Sequence, residues 1–174
     1  MKHRKISIFT AIAFGAVLAF TACSKNDGPI TNRVNIEDVP AVTTNTKTGG
    51  TTGTITFTNQ AAFLGEFKVA LYFAGALPPS KVDVVVRKNA SAANVKVFKA
   101  DVTTFPTDLT VTAAQIVALF GDTLKLNDTY DFAPDIYVAD KRYQAFPTVG
   151  NGSGQGITGM SVIGFGEYVR YSVK

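Results

Sequence analysis

Glu66-Phe67-Lys68-Val69-Ala70-Leu71-Tyr72-Phe73 is the stretch on which the fold turns. Phe67, Val69, Leu71 and Phe73 alternate with Glu66, Lys68, Ala70 and Tyr72, and a period of two puts the two sets on opposite faces of a strand. The same period continues on either side. Ile55 and Phe57 alternate with Thr54, Thr56 and Thr58 ahead of it. Beyond the break at Pro78-Pro79, Val82, Val84 and Val86 alternate with Lys81, Asp83 and Arg87. Asn89 to Asn94 forms a polar turn. Val95 and Val97 open another strand, Leu109 and Val111 mark a further one, and Ile136 and Val138 lie in a later one. Val169, Tyr171 and Val173 alternate with Tyr168, Arg170 and Ser172 at the end of the chain.

One segment departs from this pattern. Thr112-Ala113-Ala114-Gln115 fits a capping box, Ile116, Leu119 and Phe120 then share a helical face, and Gly121 suits a helix stop. These residues predict a two-turn helix that crosses between strands. About seven or eight short strands with turns between them, and no alternation with helices, predict an all-β, Ig-like or fibronectin-type antiparallel β-sandwich. The Ig disulfide and buried tryptophan are excluded, because the chain has one Cys and no Trp. A small barrel is the alternative architecture.

The N-terminus is of another kind. Met1-Lys2-His3-Arg4-Lys5 is basic and Ile6 to Phe20 is apolar, a run shorter than the roughly 20 residues a spanning helix needs. Thr21 and Ala22 then precede Cys23, the lone cysteine. This anatomy is that of a secretory signal, and Phe20-Thr21-Ala22-Cys23 resembles the lipobox of bacterial lipoproteins, with Phe20 where Leu is usual. Residues 1–22 are therefore expected to be a lipoprotein signal peptide and Cys23 the lipidated residue. A general signal cut near Ala22 would instead leave a free thiol. Residues 23–52 read as a flexible tether, polar and rich in Gly and Thr, with Val34-Asn35-Ile36 as a candidate edge strand. Its random-coil reach is about 30 Å. Residues 53–174 then form the sandwich domain.

Composition removes several function classes. Without residues 1–22, 14 of the 17 basic residues remain against 13 acidic ones, and the paired cations Arg87-Lys88 and Lys141-Arg142 are too scattered for a nucleic-acid face. The only histidine, His3, lies in the signal. Ser-His-Asp and Cys-His catalysis and His- or Cys-ligated zinc are thus excluded from the processed chain. Glu37, Glu66, Glu167 and ten aspartates remain, without a convincing pair for glycoside hydrolysis. No enzyme is expected, and no catalytic residue, cofactor or metal is assigned. Gly154-Gln155-Gly156-Ile157-Thr158-Gly159 matches a dinucleotide-binding string but has no βαβ context. The Gly150–Gly166 stretch reads as a long loop, either a connector or a binding loop. Asp122, Asp128, Asp131, Asp135 and Asp140 lie close together in sequence, but their spacing is not that of a calcium-binding loop, and they read as turn formers.

Tyr72, Phe98 and Tyr168 are the candidate ligand-binding residues. Each is placed by alternation on the more polar face of its strand, beside Lys68, Lys96 and Arg170 respectively, where an aromatic ring can stack on a sugar or anchor a protein. Cover by the helix or a loop is the other reading. Tyr130, Tyr137 and Tyr143 carry the same ambiguity.

Cys23-Ser24-Lys25-Asn26-Asp27, together with Val95-Lys96-Val97-Phe98, Leu126-Asn127-Asp128-Thr129-Tyr130-Asp131-Phe132 and Gly164-Phe165-Gly166-Glu167-Tyr168-Val169-Arg170-Tyr171, is similar to uncharacterised surface lipoproteins of the Bacteroidota. Some of these accompany starch-utilisation-type glycan uptake systems. The resemblance implies lipid anchoring in the outer membrane facing the cell exterior, a glycan connection, and an outer-membrane transporter or other surface lipoproteins as partners. It transfers no binding residue. The expected function is a non-catalytic surface protein that binds a glycan or supports an uptake complex, with a structural or adhesin subunit as the alternative.

Overall fold

A computed structural model describes residues 39–148 and 167–174. The signal peptide, Cys23, the Val34–Ile36 strand and the Gly150–Gly166 loop expected from the sequence lie outside the described residues.

Among the described residues nine strands and one α-helix follow in order: β1 (Val42–Thr46), β2 (Thr52–Ile55), β3 (Leu64–Leu71), β4 (Lys81–Lys88), β5 (Val95–Val102), β6 (Thr107–Thr112), α1 (Ala113–Phe120), β7 (Thr129–Val138), β8 (Lys141–Tyr143) and β9 (Val169–Val173). A short 3-10 segment, Phe57–Ala62, joins β2 to β3. They make two sheets. The smaller runs β1-β3-β6; the larger runs β2-β9-β7-β4-β5, with β8 paired to the second half of β7. All pairings are antiparallel except β2 with β9. This is an Ig-like antiparallel sandwich with one short helix, and its strand order is that of the A-B-E and G-F-C-C′ sheets.

The alternating residues of β3, β4 and β9 meet between the sheets. Phe67, Val69, Val82, Val84, Val86, Phe132, Val169, Tyr171 and Val173 all belong to one buried core. Phe132 stands two residues after Tyr130, where an Ig domain has its second cysteine. Its ring packs on Phe67 of the opposite sheet at 5.2 Å and on Phe98 at 5.2 Å. Three rings thus hold together two sheets that have no disulfide. The capping box forms as expected: Thr112 N donates to Gln115 Oε1 at 2.8 Å, Gln115 N donates to Thr112 Oγ1 at 3.3 Å, and Gly121 takes φ 74° at the stop.

The tether ends earlier than the sequence predicts, because the Thr-rich run folds. Val42–Thr46 pairs along its length with β3 and is buried throughout. Threonine is polar in composition but β-branched, and it favours an extended backbone. The Thr43 hydroxyl donates to Ala70 O at 3.2 Å, so burial leaves it satisfied. Gly49, with φ 90°, then closes the turn that carries the chain from the small sheet to the large one.

At the end of the sandwich where β4 stops, Lys88 is nearly buried and bonds Asp122 at 2.6 Å and Asp128 at 3.3 Å. Asn89 Nδ2 donates to Asp128 Oδ1, Lys125 N donates to Oδ2, and the Tyr130 hydroxyl donates to Oδ2 at 3.2 Å. Burial alone would push the Asp128 carboxyl up; the donors from Asn89, Lys125 and Lys88 outweigh it and hold the carboxyl below its ordinary 3.8. Burial, with the Asp128 charge adding to it, pushes the Tyr130 phenol up to about 12. A depressed carboxylate stabilises the fold above its unfolded pKa, and that contribution disappears as pH falls through the folded value. The melting temperature is therefore expected to fall on acidification below about pH 4. Asp128→Asn should be less stable at neutral pH and show a flatter acid limb; an acid limb unchanged from wild type would refute this assignment.

Candidate functional site

The three candidate aromatics do not form one surface. Tyr72 follows the last residue of β3, is half-buried, and meets the Phe73 ring edge-on at 4.6 Å. Tyr168 precedes β9 on the outer face of the large sheet. Phe98 packs toward the core, which corrects its assignment to the polar face. The reason is local. The β4–β5 register shifts between Val84 and Val85, so that Phe98 and Lys99 together oppose Val84, a residue of the inter-sheet core. Val95, expected to point inward, packs instead with Val85, Ala133, Ala145 and Phe146 in a second apolar cluster.

That second cluster surrounds a charge network. Asp131 is fully buried and accepts from Arg170 Nε at 2.6 Å and Arg87 Nη2 at 2.9 Å. The Arg87 guanidinium lies 4.0 Å from the centre of the Phe146 ring, and the Arg170 guanidinium 5.3 Å from that of Tyr168. Asp135, also buried, accepts from Arg142 and from Ala145 N. Asp131 and Asp135 thus hold arginines, and Asp122 and Asp128 hold Lys88 at the other site. Tyr168 packs on this network, its ring 6.2 Å from that of Phe146 and 5.9 and 5.3 Å from the Arg87 and Arg170 guanidiniums.

Phe98 has a different setting. It lines a cleft of about 460 Å³ that draws residues from the edge strand of each sheet, β5 and β6. Phe67, Phe98 and Leu109 supply apolar surface; Lys99, Asp108, Thr110 and Gln115 supply exposed polar groups around it. Lys47 and Glu66 complete the lining, joined by a 2.9 Å ion pair. The bond to Glu66 holds the Lys47 ammonium above its ordinary pKa. An apolar floor within a rim of donors and acceptors suits a ligand with one apolar face and several hydroxyls. Sequence periodicity pointed to Phe98 but not to its neighbours, because Leu109 and Asp108 reach it only through sheet packing.

A second cleft, of about 470 Å³, is lined by Thr46, Thr52, Thr54, Gly53, Gly65 and Tyr171 among others. Gly53 and Gly65 are needed there, since a Cβ would meet the Tyr171 ring at 2.5 Å and 2.8 Å respectively. The Tyr171 hydroxyl donates to Glu66 O at 3.2 Å, and burial pushes this phenol up to about 12.

The edge of β5 is poorly made for pairing with another strand. Two register shifts interrupt its pairing with β4, and Lys96 and Lys99 stand exposed along it. No helix among the described residues is long and apolar enough to cross a membrane. Comparison with protein-family models, curated proteins and solved structures finds no match to this chain.

Proposed function

We propose that this chain is a non-catalytic, lipid-anchored surface protein of the outer membrane that binds an extracellular glycan in the Phe98 cleft. The observation that carries the reading is the cleft's make-up: Phe98 and Leu109 within a rim of Lys99, Asp108, Thr110 and Gln115. A pyranose presents C–H groups on one face, which an aromatic ring accommodates, and hydroxyls around its edge, which the rim can bond. About 460 Å³ is room for one or two sugar units. The bulges and lysines of β5 disfavour the rival reading, a structural or adhesin subunit assembling by strand addition at that edge.

A glycan array on the protein lacking its signal tests the binding. Lys99→Ala and Asp108→Ala are each expected to weaken binding to the retained glycan about tenfold, as for hydrogen bonds to charged groups. Both residues are exposed, so the melting temperature should stay within error of wild type. Phe98→Ala should lower affinity and stability together, since the ring also packs on Phe132. An array with no retained glycan, or full affinity in both rim variants, would remove the cleft from consideration.

Anchoring is tested separately. Cys23→Ala should move the protein from the membrane fraction to the soluble fraction. Retention in washed membranes would show that Cys23 is not the anchor.

A further inference from the structure

The two ends of the sandwich differ in character. At one end lie Lys88, Asn89, Asp122, Lys125, Asp128 and the last residue, Lys174, bound to one another or to neighbouring backbone. Phe57, Leu64 and Leu126 are exposed there as well, on separate segments of the chain. At the other end the connection from β3 to β4 belongs to an uncharged run from Val69 to Ser80, and the turn after β5 belongs to another, Val102 to Thr107. Phe73 is 62 % exposed and Leu77 86 %. The loop has its own structure: Ala76 N donates to Phe73 O at 3.0 Å, and Ser80 N donates to Tyr137 O at 2.9 Å. Two large apolar side chains on an ordered loop tip are a contact surface.

The same end receives the chain. Tyr72 N donates to Ala41 O at 2.9 Å, and Val42 pairs with Leu71, so the segment leading back to Cys23 enters the domain beside the loop. From Cys23 to Ala41 the chain can span at most about 65 Å. At the base of the same end Lys81 is paired with Asp101 at 2.7 Å and Asp83 at 3.6 Å, and Asp140 precedes Lys141, so positive and negative charges balance there. Exposed apolar tips beside the point where the segment from Cys23 enters match a bilayer interface, where such side chains enter the acyl boundary.

We propose that the Tyr72–Pro79 loop docks on the lipid interface through Phe73 and Leu77 and holds the domain with its charged end outward. The choice of lipid and the orientation rest on the lipid-anchor reading above, and the Cys23→Ala background separates the loop's contact from the anchor. Because the chain contains no tryptophan, Leu77→Trp creates a single fluorescent reporter, and Ala118→Trp on the exposed side of α1 a control. Full-length protein carrying either change is mixed with excess vesicles of phosphatidylethanolamine and phosphatidylglycerol, with and without brominated acyl chains. Expected are a blue shift and bromine quenching for Leu77→Trp, and neither for Ala118→Trp. The same reporter is then read in a Cys23→Ala background. A shift that persists there supports lipid contact by the loop independently of anchoring. Vesicle-bound protein with an unshifted, unquenched reporter would overturn the docking proposal while leaving the anchor intact; unbound protein with no shift would overturn both. A shift that appears without vesicles and grows with protein concentration would mean that a second copy, not lipid, covers the loop. In a complementary measurement, Leu77→Asp should weaken vesicle partitioning of the Cys23→Ala protein about tenfold or more.

Discussion

Phe132→Ala is expected to lower the unfolding free energy by about 4 kcal/mol, the range for emptying a buried aromatic site. Phe132 is fully buried, and its ring meets Phe67, Phe98 and Tyr171 at centroid distances of 5.2, 5.2 and 5.9 Å. Its removal opens a cavity between two sheets that no disulfide crosses. Phe132→Leu should cost much less, because most of the volume is kept. Denaturant unfolding of the two variants measures the difference. Equal and small losses would mean that the aromatic cluster is not what joins the sheets. A double-mutant cycle with Phe67→Leu should give a coupling of about 1 kcal/mol between these two rings.

Asp131→Ala is expected to cost about 3 kcal/mol, near the lower end for removing one partner of a buried ion pair. The carboxylate is fully buried, while the Arg87 and Arg170 side chains retain 19 % and 33 % exposure, so solvent compensates them in part. What remains is two guanidiniums facing each other across an empty site, over the Phe146 and Tyr168 rings. Asp131→Asn preserves shape and one acceptor but not the charge, and should fall between wild type and Ala. Adding Arg170→Leu to Asp131→Ala should recover part of the loss, because it removes one of the stranded charges. Unfolding free energies at neutral pH provide the check. If the double variant is no more stable than Asp131→Ala, electrostatics is not the source of the cost.

Most of what depends on local alternation was legible in the sequence, but Phe57 and Phe73, which it set on apolar strand faces, lie beyond the ends of β2 and β3 and are 42 % and 62 % exposed. In β3, β4 and β9 the alternation of apolar and polar residues is imposed by strand geometry, and every inward position it named in β4 and β9 is buried. Thr112, Gln115 and Gly121 announced α1 because a capping box is satisfied within four residues. The Thr43–Thr46 segment was misread because composition counts hydroxyls, whereas the backbone responds to β-branching and to the open edge of β3. Phe98 was placed on the wrong face because a bulge in β5 breaks the period that the inference used.

The candidate site was legible in one residue of its lining. Phe98 was selected for being an aromatic among lysines, but Asp108 and Leu109 join it only after β5 and β6 take their places in different sheets. Asp131 looked like one acidic turn residue among five. Its two arginine partners are 44 and 39 residues away, and no local spacing encodes them. The sequence by itself determined β3, β4 and β9, the helix and its caps, and the absence of a disulfide, since these depend on neighbours along the chain. Only the tertiary structure decided which rings bridge the sheets, which carboxylates are occupied by cations, and where a cleft opens. Those depend on register and on bulges, where a shift of one residue moves a side chain to the other face of its sheet.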